Sequence, residues 1–166
     1  MEDRDADVDV AADTLTYSIL LHATCVSFSG NADKTLGVLL SGPSGAGKSD
    51  LALRLIDQGA VLVSDDQTRV SLRDGRLWAA PPETLAGRME VRGLGIVEVP
   101  YQERALLGAC FDLVEAAKIE RLPEPETRRF LGISLPSLQL YPFEVSATVK
   151  LRLAVREMSG FIMDQD

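Results

Sequence analysis

Apolar residues along this chain fall mostly into short runs bounded by turn-forming clusters, and in only two longer stretches do they recur at helical spacing. Residues 16–28 are β-prone, 29–34 have turn composition, and 35–41 form a second apolar run, so the two runs predict a hairpin. Residues 50–57 read as a helix with Gly59 as its C-cap, and 60–64 as a short buried strand that ends in Asp65-Asp66. Alternation of apolar and polar residues over 67–77, centred on Asp74-Gly75, predicts another hairpin. One helical turn is expected at 84–87, and a strand, tight turn and strand over 89–99.

Farther along, 107–114 predict a core strand, 123–126 an exposed turn, and 131–140 a last strand interrupted by Pro136. Val145, Val149, Leu153 and Arg156 stand at helical spacing within 145–158, which predicts a C-terminal helix packing on the sheet. Its Lys150, Arg152 and Arg156 suit the negative end of a helix. Residues 1–13 are rich in Asp and poor in large apolar groups, so a disordered acidic tail is expected there, followed by one domain over 14–160 and a short tail at 161–166.

Composition narrows the classes. With 166 residues, 46% of them hydrophobic and 25% charged, the chain has one domain's worth of core. A net charge of −8 argues against a nucleic-acid partner, which would call for surplus Lys and Arg, so any phosphate pocket must be local. No apolar stretch is long enough to span a bilayer, and the first residues lack the basic and apolar regions of a signal peptide, so no membrane role and a cytoplasmic location are expected. Cys25 and Cys110 lie far apart in apolar contexts, as buried free thiols do.

The run Gly42-Pro43-Ser44-Gly45-Ala46-Gly47-Lys48-Ser49 fits the G-x-x-x-x-G-K-[ST] phosphate-loop pattern at every fixed position, between a predicted strand and a predicted helix. Glycines let backbone N–H groups turn toward phosphate oxygens, and the helix start adds its dipole. Lys48 supplies an ammonium for the β- and γ-phosphates of ATP, and the Ser49 hydroxyl is placed to ligate Mg2+. One strand beyond the loop, Asp65 and Asp66 offer carboxylates that could hold the metal or accept a proton. Glu90 and Arg92, two apart, would share one face of a strand and could serve metal and phosphate. His22, the single histidine, lies in an apolar strand, where a structural role is the usual one.

The segment Glu90-Val91-Arg92-Gly93-Leu94-Gly95-Ile96-Val97 resembles the signature of the HPr kinase/phosphorylase family, bacterial enzymes that phosphorylate a serine of the phosphocarrier protein HPr. The order and spacing of the phosphate loop, Gly59 and Ser64-Asp65-Asp66 agree, so the resemblance covers most of residues 15–122. It implies an active-site histidine at His22, a phosphate-binding lysine at Lys48, and magnesium ligands at Ser49 and Glu90. It also implies a proton-accepting aspartate within Asp65-Asp66, and an active-site arginine at Arg121 in Glu120-Arg121-Leu122. Arg92 and Arg121 would neutralise charge on the transferring phosphoryl group. Inorganic phosphate would drive the reverse reaction to pyrophosphate, and the family's usual hexamer implies a homo-oligomer.

The chain departs from that family pattern at both ends. The family's N-terminal domain is not expected before residue 15, Pro142-Phe143-Glu144 stands where Pro-Gly-Arg is usual, and the terminal helices that help bind HPr are expected to be missing. This is similar to the short form of the kinase in alphaproteobacteria. The expected fold is α/β, a phosphate-loop kinase domain with a twisted mixed sheet, a central helix after the loop and β-hairpin additions. The expected function is an ATP-dependent, Mg2+-requiring serine kinase acting on HPr. A small-molecule kinase on the same loop and a non-catalytic nucleotide sensor are the two alternatives.

Overall fold

The computed structural model describes residues 9–11, 16–30 and 35–162. Its strands are β1 (Asp9–Ala11), β2 (Thr16–Leu21), β3 (Ala23–Ser29), β4 (Thr35–Ser41), β5 (Val61–Ser64), β6 (Thr68–Arg73), β7 (Arg76–Ala80), β8 (Arg88–Val91), β9 (Gly95–Glu98), β10 (Ala105–Leu113), β11 (Glu126–Phe130) and β12 (Ile133–Leu140). Two α-helices, α1 (Lys48–Asp57) and α2 (Ala147–Ile162), complete it, with single 3-10 turns at Glu83–Leu85 and Ala116–Lys118. The fold is the expected α/β one. A ten-stranded mixed sheet runs β1-β2-β6-β7-β10-β4-β3-β5, with β12 beside β10 and β11 beside β12, and among the described residues β8 pairs only with β9.

Strand β10 holds the sheet together. Ala105 and Leu106 pair antiparallel with β7, residues from Leu107 to Asp112 pair parallel with β4, and Cys110 to Leu113 pair parallel with β12. Strands covered on both faces read as unbroken apolar runs, and β4 is such a strand. Val38 and Leu40 join one core with Leu51 and Leu55 of α1 and Leu151 of α2, whereas Leu39 joins a second core with Val70, Leu77 and Cys110 on the opposite face. Both hairpins are as expected: β3 pairs with β4, although residues 31–34 at its turn lie outside the described residues, and β6 pairs with β7 through Asp74 and Gly75, both at positive φ.

Several expectations are corrected. Residues 16–28 are two strands, not one, because β2 pairs with β6 while β3 pairs with β4 and β5; the chain must bend at His22 to change neighbours. Pro136 does not interrupt β12, since it pairs with Thr127 on one side and the ladder with β10 begins only at Ser137. The C-terminal helix begins at Ala147, two residues later than expected, so Val145 lies in the turn before it; the helix buries Ala147, Thr148, Leu151 and Val155 and leaves Val149 and Leu153 exposed. Gln58 Nε2 donates to Thr148 Oγ1 at 3.2 Å, and Arg152 Nη1 to the Gln58 carbonyl at 3.0 Å. The cation therefore serves the carbonyl end of α1, a neighbouring helix. Of the expected tail 1–13, Asp9–Ala11 pair antiparallel with β2, and the other residues lie outside the described ones. In the expected tail 161–166, α2 continues to Ile162 and residues 163–166 likewise lie outside.

Candidate active site

The phosphate loop leaves β4 at Ser41 and enters α1 at Lys48, as the pattern requires. Gly47 stands at the helix start with φ 98°, and a β-carbon there would lie 2.9 Å from the Phe143 ring, so glycine is needed both for the turn and for the close approach. Lys48 is buried. Its Nζ donates to the carbonyls of Gly42 at 2.6 Å and Pro43 at 3.0 Å, so the ammonium is held across the mouth of its own loop. Burial lowers its pKa from the ordinary 10.5, opposed by the nearby carboxylates of Asp66 and Asp65.

The two aspartates after β5 part company. Asp65 is 5% exposed, and its Oδ1 accepts from Ser49 Oγ at 2.6 Å and from Thr24 Oγ1 at 3.1 Å. Asp66 takes φ 67°, which turns its side chain out to solvent, where Oδ1 stands 3.0 Å from His22 Nε2. With the carboxylate ionised, the ring N–H is the donor. The Gln67 N–H reaches back to the Asp65 carbonyl at 2.7 Å, closing a γ-turn around Asp66 of the rarer positive-φ kind. Adjacent carboxylates thus face different partners, one toward the phosphate loop and one toward the bend between β2 and β3.

Ser49 and Asp65 suit a magnesium ion, which takes hard oxygens from one or two side chains and fills its remaining positions with water and substrate phosphate. Among the described residues no group of three His, Cys, Asp or Glu side chains could hold a metal unaided. Glu90 is exposed on β8, a strand that packs on the core through Met89. Arg92 lies past the end of β8, in the turn closed by the Leu94 N–H on the Val91 carbonyl at 2.9 Å, so it does not share a strand face with Glu90. Arg121 is exposed in the loop before β11. The structure therefore joins His22, Lys48, Ser49, Asp65 and Asp66 around the loop, while Glu90, Arg92 and Arg121 make no hydrogen bond to that group among the described residues.

Two features lay outside the sequence reading. Thr24 is fully buried beneath both aspartates, and a threonine in a β-prone run carries no signal of such a role. Arg128 pairs with Asp112 at 3.0 Å and donates to Ser41 Oγ at 3.0 Å, immediately before the loop, while Ser137 Oγ donates to Asp112 Oδ2 at 3.2 Å. Asp112, a lone charge in an apolar core strand, was the available clue. A cavity of about 310 Å3 opens beside this cluster, lined by Leu21, His22, Ser41, Gly42, Arg128 and Phe130 among others.

Comparison with known proteins gives a consistent result. Residues 13–146 match the family model described as the HPr serine kinase C-terminal domain. An HPr kinase/phosphorylase of Clostridium beijerinckii is 43% identical over 88 residues, covering 53% of this chain and 28% of that protein. One from Streptococcus equi subsp. zooepidemicus is 33% identical over 136 residues, covering 75% of this chain and 44% of that protein. The chain thus spans less than half the length of these relatives. The solved HPr(Ser) kinase/phosphatase of Coxiella burnetii superposes with a TM-score of 0.71 at 24% identity, over 87% of this chain and 94% of that one, a likeness of fold.

Proposed function

The chain belongs to the HPr serine kinase C-terminal domain family, and on that premise we propose that it is an ATP-dependent, Mg2+-requiring protein kinase that phosphorylates a serine of HPr. The observation that carries this reading is the division of labour between neighbouring aspartates, with Asp65 on the loop's Ser49 and Asp66 on His22. A phosphoryl-transfer site needs a metal-side carboxylate and a separate proton acceptor, and these two residues supply both.

In this reading Lys48 exchanges its loop carbonyls for the β- and γ-phosphate oxygens of ATP, assisted by the loop N–H groups and the start of α1. Ser49 and Asp65 hold the magnesium ion, with Glu90 as the further ligand that the resemblance implies. Bound there, the ion neutralises charge on the phosphates. Asp66 accepts the proton of the serine hydroxyl as the serine oxygen bonds to the γ-phosphorus and the bond to the β-phosphate oxygen breaks. His22 orients Asp66 and shares its proton. Arg92 and Arg121 would draw in on the transferring group when both substrates are bound. With inorganic phosphate as acceptor the same groups would run the reverse reaction to pyrophosphate.

The test is incubation of the purified chain with labelled ATP, Mg2+ and HPr from the same organism. Acid-stable label on HPr is expected. ATP binding without label on HPr overturns the assignment and leaves a small-molecule kinase or a sensor.

A further inference from the structure

We propose that Thr24 is a positioning residue for phosphoryl transfer, a single buried hydroxyl that sets the metal-side carboxylate and the proton-accepting carboxylate relative to one another. The inference rests on the kinase reading above, and it extends that reading to a residue that touches neither substrate nor metal.

Both hydrogen-bonding capacities of this hydroxyl are committed to the aspartate pair. Thr24 Oγ1 donates to Asp65 Oδ1 at 3.1 Å and accepts from the backbone N–H of Asp66 at 3.2 Å. The side chain is fully buried, so water does not stand in for either bond. Asp65 Oδ1 already takes the Ser49 hydroxyl, and the Thr24 hydroxyl fixes the direction from which it does so. On the other side, the N–H that Thr24 receives belongs to the residue at φ 67°. A non-glycine residue in that region costs of order 1–3 kcal/mol and persists where its surroundings over-determine it.

Those surroundings are visible. Thr68 Oγ1, also buried, donates to the Ala23 carbonyl at 2.8 Å, and the Ser64 hydroxyl donates to the Gln67 carbonyl. These two bonds fasten the turn's ends and the start of β3. Among the described residues, Thr24 is the one side chain that hydrogen-bonds both residues at the turn's centre, and it lies two positions from His22, so one short segment fixes Asp65, Asp66 and the imidazole together. Loss of the hydroxyl would free Asp66 to leave His22 and loosen the Asp65 carboxylate on Ser49, while the bonds from Lys48 to the Gly42 and Pro43 carbonyls, which do not involve Thr24, keep the rest of the phosphate loop in place.

The experiment compares Thr24→Val, which keeps the shape and removes the hydroxyl, with Thr24→Ser, which keeps the hydroxyl. Transfer to HPr, ATP affinity and the imidazole NMR signals of His22 are measured on all three chains; because His22 is the only histidine, those signals need no assignment. For Thr24→Val, kcat should fall about 10- to 100-fold, as a roughly 1 Å misplacement would cause, with ATP affinity within about 3-fold and the His22 signals displaced. Thr24→Ser should restore kcat to within about 3-fold and leave the signals in place. Unchanged kcat and signals in Thr24→Val overturn the proposal, as does a Thr24→Ser defect equal to that of Thr24→Val, which would mean packing alone. Should Thr24→Val fail to fold, Thr24→Cys replaces it, compared with Thr24→Ser, which likewise lacks the methyl but keeps the hydroxyl where Cys has only a weak donor, and wild-type kcat there overturns the proposal. If the wild-type chain labels no HPr, the kinase reading fails by itself. The His22 signals then decide whether Thr24 holds the pair: unmoved in Thr24→Val, they overturn it.

Discussion

His22 Nε2 and Asp66 Oδ1 stand 3.0 Å apart at the surface, and their contact joins the bend between β2 and β3 to the turn after β5. The side chains are 53% and 64% exposed, so the pair adds little to stability and its value lies in orientation. His22→Ala should therefore lower transfer to HPr by about 10-fold or more while changing stability by less than ~0.5 kcal/mol. Kinetics beside a thermal melt checks this. A variant that unfolds would return His22 to a structural role.

Asp65 and Asp66 should fail in different ways. Asp66→Asn is expected to cut kcat about 10²- to 10⁴-fold, the usual worth of a general base, with ATP binding retained. Asp65→Asn should instead raise the Mg2+ concentration needed for half-maximal rate, since its oxygen faces Ser49. Titrating Mg2+ against rate for both variants separates the two; identical Mg2+ curves would contradict the division of roles.

Lys48→Ala should weaken ATP binding by about 100-fold or more, ~2.8 kcal/mol, measurable by calorimetry. Its burial also leaves a pH signature. The folded-state pKa lies below 10.5, so between that value and 10.5 the unfolded chain binds more protons and stability rises with pH. Relative to Lys48→Met, the wild-type chain should gain stability as pH climbs from neutral toward 10.5, as denaturant titrations at several pH values would reveal.

The buried thiols act in the opposite direction. Burial, with Asp112 adding to it, pushes Cys110 up from 9.0 to about 12, and burial together with the neighbouring Cys110 raises Cys25 further. Here the folded chain keeps protons that the unfolded chain loses, so this contribution is intact below pH 9.0 and declines as pH rises from there toward 12. At pH 8 both thiols should react with a disulfide reagent far more slowly than in denaturant, and simple colorimetry would detect it. Rapid reaction of either one in the folded chain would contradict its burial.

Local features were legible in the sequence. The loop motif, the Asp74-Gly75 hairpin and the β8–β9 hairpin depend on residues near one another, and each formed where expected. What escaped depends on distant neighbours. Val145, Val149 and Leu153 have helical spacing in sequence as well as Ala147, Leu151 and Val155 do; the placement of α1 and of the sheet residues that share their core decides which stripe is buried. The separation of Asp65 from Asp66 turns on one backbone angle, and the bend at His22 on which strands β2 and β3 choose as partners. In the site, the residues lying within or beside the loop came together, whereas Glu90 and Arg92 sit on a hairpin outside the main sheet and Arg121 in an irregular loop, where spacing says little about position.

The pairing of β4 with β10 has a bearing on how the molecule is made. The strand that launches the phosphate loop meets its hairpin partner β3 early, but its other edge waits for β10, with Gly37 pairing to Leu107. Contacts so remote in sequence close slowly and late. On the ribosome, the whole motif and both aspartates emerge before the strand that braces them. A nascent chain halted before residue 105 would carry every letter of the signature and still lack the scaffold for a nucleotide site, so nucleotide capture would time the completion of the sheet.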